Sequence, residues 1–185
     1  MAHTEQLLTL YCSRARPIML PFMTPNSCIA ATRVSIDCLQ ALGIPAEPLA
    51  TKFAVTVPAI NKLYGCGLTA EERAGALDSK EIWGNGWNGH LVVRSGDWLI
   101  DPSFDQADVA LEGRLKVSGV QMFPLPAGTT DKFHVTYHGF FDSGLRGKIE
   151  YVVIDDCSWR ESDAWNDEGL ILLTATILAR MKGKG

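Results

Sequence analysis

The segment Thr24-Pro25-Asn26-Ser27-Cys28-Ile29-Ala30-Ala31-Thr32-Arg33-Val34 constrains this chain more than any other, because it fixes where a buried helix begins and sets a cysteine there. Pro25 cannot sit inside a helix and drives Thr24 to an extended shape. Asn26 and Ser27 are both strong N-cap residues, so a helix is expected to start at one of them. It continues through Ser35-Ile36-Asp37-Cys38-Leu39-Gln40-Ala41-Leu42, with Ala30, Val34, Cys38 and Ala41 in one small apolar stripe and Ile29, Ile36, Leu39 and Leu42 widening it. Apolar residues on several sides mark a central helix. Gly43 suits the position after its end, and Ile44-Pro45 forbids continuation. Cys28 then falls in the first turn, where unpaired N–H groups and the positive end of the helix dipole favour thiolate over thiol. The plain alternative is a buried structural thiol.

At 185 residues the chain reads as one domain with room for a real core. A net charge of −4 gives no reason to expect nucleic acid or an anionic membrane as the main partner. The segment Met1-Ala2-His3-Thr4-Glu5-Gln6 lacks the basic patch and apolar core of a signal peptide, and no apolar run approaches the roughly 20 residues of a membrane span. The five cysteines, Cys12, Cys28, Cys38, Cys66 and Cys157, are an odd number without a short CxxC pair. That argues against a zinc ribbon or a secreted disulfide framework and predicts a cytoplasmic protein in which Cys12, Cys38, Cys66 and Cys157 pack as free thiols.

Along the chain, Thr4 to Ser13 predicts a short amphipathic helix, and Pro17 and Pro21 predict an extended Ile18-Met19-Leu20 between them. Alternation of Leu49, Thr51, Phe53, Val55 and Val57 predicts a strand over 46–57, stopped by Pro58. Gly65-Cys66-Gly67 reads as a bend, and Thr69 with Glu72 has capping-box spacing for a short helix. His90 to Arg94 and Trp98 to Asp101 read as the two strands of a hairpin turning at Ser95-Gly96-Asp97. A helical turn or two is expected over 105–111, and strands over 117–123, 133–137 and 148–154. A closing helix over 162–181 is expected to pack along the sheet. Helices first, then mostly antiparallel strands, then a helix is an α+β order.

A nucleophilic cysteine needs a base and a group to orient that base. With the hairpin turn centred on Gly96, residues near 91 and 100 face each other, which makes His90 and Asp101 cross-strand neighbours within side-chain reach. If the Cys28 helix packs on that end of the sheet, the three form a Cys–His–Asp triad. The imidazole takes the thiol proton, and the carboxylate holds its tautomer and stabilises the cation.

A cysteine on a long helix ending in Leu-Gly-Ile, then a strand, then Gly-His-Leu-Val-Val and Trp-Leu-Ile-Asp-Pro-Ser resembles the transglutaminase-like branch of the papain-like cysteine enzymes. The resemblance covers residues 20–110. It implies a papain-like or transglutaminase-like core, Cys28 as nucleophile, His90 as general base and Asp101 as orienting acid, with no cofactor. Two departures stand out: Ser27 and Ile29 replace the aromatic residue often found beside the family's cysteine, and the basic-glycine-glycine lead-in of arylamine acetyltransferases has no counterpart.

The expected activity is acyl transfer through an acyl-enzyme, with water as acceptor: a thiol hydrolase (peptidase or amidase) of peptide, protein or small acyl and amide substrates. Alternatives are a transglutaminase or acyltransferase with an amine acceptor, a coenzyme-A-dependent acetyltransferase (for which Arg33 is the one nearby basic residue), and a non-catalytic peptide-binding protein on the same scaffold. The Cys28 N–H is one oxyanion donor by position. Asn26, Asn88 and Gln106 are candidates for a second; helix capping explains Asn26 equally well, and an exposed helix start explains Gln106. Trp83 and Trp87, on a glycine-rich loop, are candidate walls of a substrate groove, against a reading as loop anchors, whereas Trp98 reads as core. His134 and His138 lack a third ligand for a metal, and Asp155-Asp156 reads as an exposed acid pair.

Overall fold

The structure, a computed structural model, describes residues 2–24, 27–78, 87–117 and 119–183. Among them, α1 (Ala2–Met19), α2 (Cys28–Ala41) and α5 (Leu170–Met181) form a helical layer, and β1 (Glu47–Val57), β2 (Lys62–Cys66), β3 (Leu77–Asp78), β4 (His90–Ser95), β5 (Trp98–Asp101), β6 (Gln121–Pro124), β7 (His134–Phe140) and β8 (Arg146–Val153) form one curled sheet. Two short helices, α3 (Asp105–Ala110) and α4 (Asp163–Asn166), follow β5 and precede α5. The class is α+β. None of the described helices is long and apolar enough to cross a membrane.

β1 organises the sheet. Its first half pairs with β4 (Thr51 opposite His90), its second half with β2, and it also pairs with β8 (Phe53 opposite Tyr151); all three ladders are antiparallel. Among the described residues only the short β2–β3 contact is parallel. Period-two alternation then sorts the side chains. Val93 and Ile100 join the helices in one core, while Phe53, Val55, Val92, Leu99 and Tyr151 join Phe104 and Ala107 in a second, aromatic-rich core on the other face.

Several sequence expectations need correction. The run from Pro17 to Met19 is not extended but the last turn of α1. Pro17 forfeits one ladder bond, to the Ser13 carbonyl, while Ile18 and Met19 prolong the buried stripe of Leu8, Tyr11, Cys12 and Ala15. Gly65 and Cys66 lie in a strand. The Thr69–Glu72 capping box forms reciprocally, at 2.7 and 3.3 Å, yet only turns follow it, since the few residues before Gly75 (φ 81°) hold no apolar stripe to bury. The closing helix is two helices: the Asp167 carboxylate accepts the Gly169 N–H at 2.8 Å and breaks the run. α5 then packs on α1 and α2 rather than along the sheet, burying Leu170, Leu173 and Ile177. Cys157 is exposed; the other four cysteines are buried.

Candidate active site

Cys28 is the first residue of α2, with Ser27 at the N-cap position. The Ser27 hydroxyl donates back to the Thr24 carbonyl instead of capping the helix. Thr32, one turn further on the same face, sets where the cysteine goes: it is fully buried, and its hydroxyl donates to the Leu91 carbonyl at 2.8 Å. From the other side, the Thr51 hydroxyl donates to the His90 carbonyl at 2.9 Å. The start of β4 is thus held between α2 and β1. Cys28, 7% exposed, shares a small apolar cluster with Ala50, Leu91 and Trp159, with Trp87 packed against it.

His90 and Asp101 are both fully buried, and His90 Nε2 lies 2.7 Å from Asp101 Oδ2. The same oxygen accepts the Tyr151 hydroxyl at 2.8 Å, and Oδ1 accepts the Ser103 N–H at 3.0 Å. The imidazole stacks on Phe53, centroids 4.5 Å apart at 24°. Burial by itself lowers the His90 pKa, but the charge and hydrogen bond of Asp101, with a further contribution from the Cys28 side chain, outweigh it and raise the ring to about 10. With the His90 ring, the Tyr151 hydroxyl and the Ser103 N–H around it, the buried Asp101 carboxylate is a satisfied group rather than a stranded charge. Burial and the Asp101 charge push the Tyr151 phenol well up, so it remains a donor.

Gln106 is fully buried on α3, not at an exposed helix start: its amide nitrogen lies 2.5 Å from His90 Nδ1 and 3.9 Å from Cys66 Sγ. The helix is anchored next door, where Arg16 of α1 forms a bidentate pair with Asp105 at 2.6 and 3.1 Å. Asn88 Oδ1 accepts the Gly67 N–H at 3.0 Å and so ties the approach to β4 to the end of β2. The Trp87 indole folds over Gly89 and donates to Asp156 at 2.8 Å. Asp156 is therefore a loop anchor, held below the usual carboxylate range first by Ser158 and then by Trp87. Asn26 and Trp83 lie outside the described residues. His134 pairs with Glu150, and no group of metal-binding side chains occurs among the described residues.

Phe53, Tyr151 and Thr32 are the site residues that sequence reasoning missed. Phe53 had a signal, since it alternates with Val55 and Val57. Tyr151 had none, because its approach depends on the β1–β8 register. A cavity of about 250 Å³ is lined by Phe104, Phe123, Tyr137 and Phe141, and Cys28, His90 and Asp101 are not among its lining residues.

The sequence matches no protein-family model, and neither curated proteins nor solved structures yield a match.

Proposed function

We propose that the protein is a cysteine-nucleophile acyl-transfer enzyme with water as acceptor, an amidase or peptidase of transglutaminase-like type, in which Cys28, His90 and Asp101 act as the triad. The observation that carries the reading is the buried His90–Asp101 pair beside a cysteine at the first position of a helix. In support, Asp101 holds Nε2, so Nδ1, which the Gln106 amide also approaches, is the nitrogen that exchanges a proton with sulfur. Cys28 Sγ attacks the substrate carbonyl carbon while its proton resides on His90 Nδ1. The Cys28 N–H, which a helix cannot pair internally at that position, faces the developing oxyanion. The tetrahedral adduct collapses by expelling the amine, which takes the proton from Nδ1. Water then gives one of its own protons to the ring as it attacks the thioester, and the acid leaves with the Cys28 sulfur and the ring proton restored. A reducing compartment, the cytoplasm, suits this thiol.

The test is the rate of iodoacetamide alkylation at Cys28 against pH, resolved by peptide mapping, in wild type and His90→Ala. Exposed Cys157 serves as the internal reference. Fast alkylation of Cys28 persisting below pH 7 and lost in His90→Ala is expected. Alkylation that rises only near the ordinary thiol pKa of about 8.5 would overturn the enzyme and favour the non-catalytic binding protein.

A further inference from the structure

The imidazole of His90 has two nitrogens, and each has a neighbour. Asp101 takes Nε2 at 2.7 Å, and the Gln106 amide lies 2.5 Å from Nδ1. The other end of that amide, Oε1, is buried without a partner. A side-chain amide carries a donor end and an acceptor end of nearly the same shape, and its terminal torsion is two-fold. A neutral ring with its proton on Nε2 offers Nδ1 a lone pair, which the Gln106 NH2 fills. A charged ring presents Nδ1–H, which needs an acceptor, and Oε1 is that acceptor once the amide turns over.

We infer that Gln106 is the positioning residue of the His90 ring, meeting Nδ1 with its NH2 when the ring is neutral and with Oε1 when it is charged. The inference rests on the proposed triad for its catalytic meaning. Gln106 acts through the ring, by its contact with Nδ1. Its effect is to keep the ring in one plane between Asp101 and Cys28 while the Nδ1 proton comes and goes, so that neither state of the ring leaves a buried nitrogen unpaired. The titratable groups around the ring and its amide partner are Cys28 from α2, Cys66 from β2 with Tyr64 bonded to it, Asp101 from β5 and Tyr151 from β8. The Tyr64 hydroxyl is engaged with Cys66 Sγ at 3.3 Å and the Tyr151 hydroxyl with Asp101. The Arg16–Asp105 pair holds the turn of α3 from which Gln106 projects, so the amide can reverse without the helix moving.

The experiment follows the His90 ring by ¹⁵N NMR through its titration and measures Cys28 alkylation in parallel, in wild type, Gln106→Met and Gln106→Glu. Methionine keeps the bulk and removes both ends of the amide; glutamate keeps the acceptor. Gln106→Met is expected to lower the His90 midpoint by about one pH unit and, because the ring is held less firmly, to slow Cys28 alkylation. Gln106→Glu is expected to restore both. An unchanged midpoint in Gln106→Met, or alkylation that becomes faster because the amide was competing with sulfur for Nδ1, overturns the inference. In the unaltered protein the Gln106 side-chain NH2 resonances should move with the His90 titration; resonances that stay fixed through it also overturn the inference, whether or not the variants fold. A Cys28 that is unreactive in wild type defeats the proposed enzyme instead, and the ring titrations still decide what Gln106 does.

Discussion

His90 and Asp101 meet at 2.7 Å without standing opposite one another in their hairpin. Ser95 pairs with Trp98 and Val93 with Ile100, so Asp101 falls opposite residue 92, and His90 is its diagonal neighbour on the same face. The turn is the two-residue Gly96-Asp97, with Gly96 at φ 57°, one residue later than a turn that sets 91 opposite 100. That moves the register by two positions. Two is the side-chain period, so the pairing survives on the correct face; a shift of one would have separated the pair.

Asp101→Asn separates the charge of this carboxylate from its shape. The amide can still accept from the Tyr151 hydroxyl or the Ser103 N–H, but it no longer holds the positive charge on His90. The expected result is a folded protein whose Cys28 alkylation at pH 6 drops at least about tenfold, one unit of pKa. A circular-dichroism melt alongside the alkylation series checks both halves. Retention of wild-type alkylation would remove Asp101 from the triad.

Thr32→Val tests the clamp between α2 and β4. Valine fills the same space but leaves the Leu91 carbonyl without its 2.8 Å donor in a fully buried position. The loss should be about 1–3 kcal/mol of unfolding free energy, the cost of a buried unsatisfied group. Because Thr32 sits one turn from Cys28, alkylation of Cys28 should slow while that of Cys157 stays unchanged. Equal urea midpoints in the two proteins would show that the bond contributes little.

How far this arrangement could be read from the sequence depended on the range of the contact. Cys28 at the start of a helix, Gly43 (φ 76°) at its end and the His90–Asp101 pair in a hairpin are local, and local turn chemistry specifies them even though the Ser27 side chain does not cap the helix. The turn of α1 through Pro17 was not legible, because tertiary burial of Ile18 and Met19 outweighs a single missing hydrogen bond. Nor was Gln106: Asp105-Gln106 reads as a polar helix start, and only the partnership of Arg16, 89 residues earlier, with Asp105 draws that start into the interior. Tyr151 reaches Asp101 from 50 residues away through the β8 register, for which short-range pattern carries no information.

The Arg16–Asp105 pair gives a stability prediction with a sign reversal. Arg16 is 1% exposed, and its Nη1 has no partner; burial raises the Asp105 pKa while Arg16 pulls it back down. Arg16→Leu strands a buried carboxylate and should cost about 3–5 kcal/mol, whereas Arg16→Leu with Asp105→Leu together should recover most of that loss. Urea unfolding of the two single variants and the double variant closes the cycle. Additive losses would show that the two charges do not act as a pair.

The charge on His90 also ties stability to pH, and the sign follows from where its proton is held. The folded ring is raised to about 10, because Asp101 and, more weakly, Cys28 outweigh the opposing effect of burial. An unfolded histidine titrates near 6.5. Below about 6.5 both states carry the proton and the whole contribution is present. Between about 6.5 and 10 only the folded state keeps it, so stability declines as pH rises, at up to about 1.4 kcal/mol per pH unit. The same pocket holds Asp101, Tyr64, Cys66 and Tyr151, and Cys12 and Cys38, both pushed up to about 12 by burial, act in the same direction. Thiols contribute only as the unfolded chain nears their ordinary range of about 8.5, so the informative interval is pH 6.5 to 8. Urea midpoints measured across that interval should fall in wild type and change much less in His90→Gln, even if that variant starts from lower stability. Parallel slopes in the two proteins would mean that His90 is neutral in the folded state, and with it the ion pair on which the proposed triad depends would be lost.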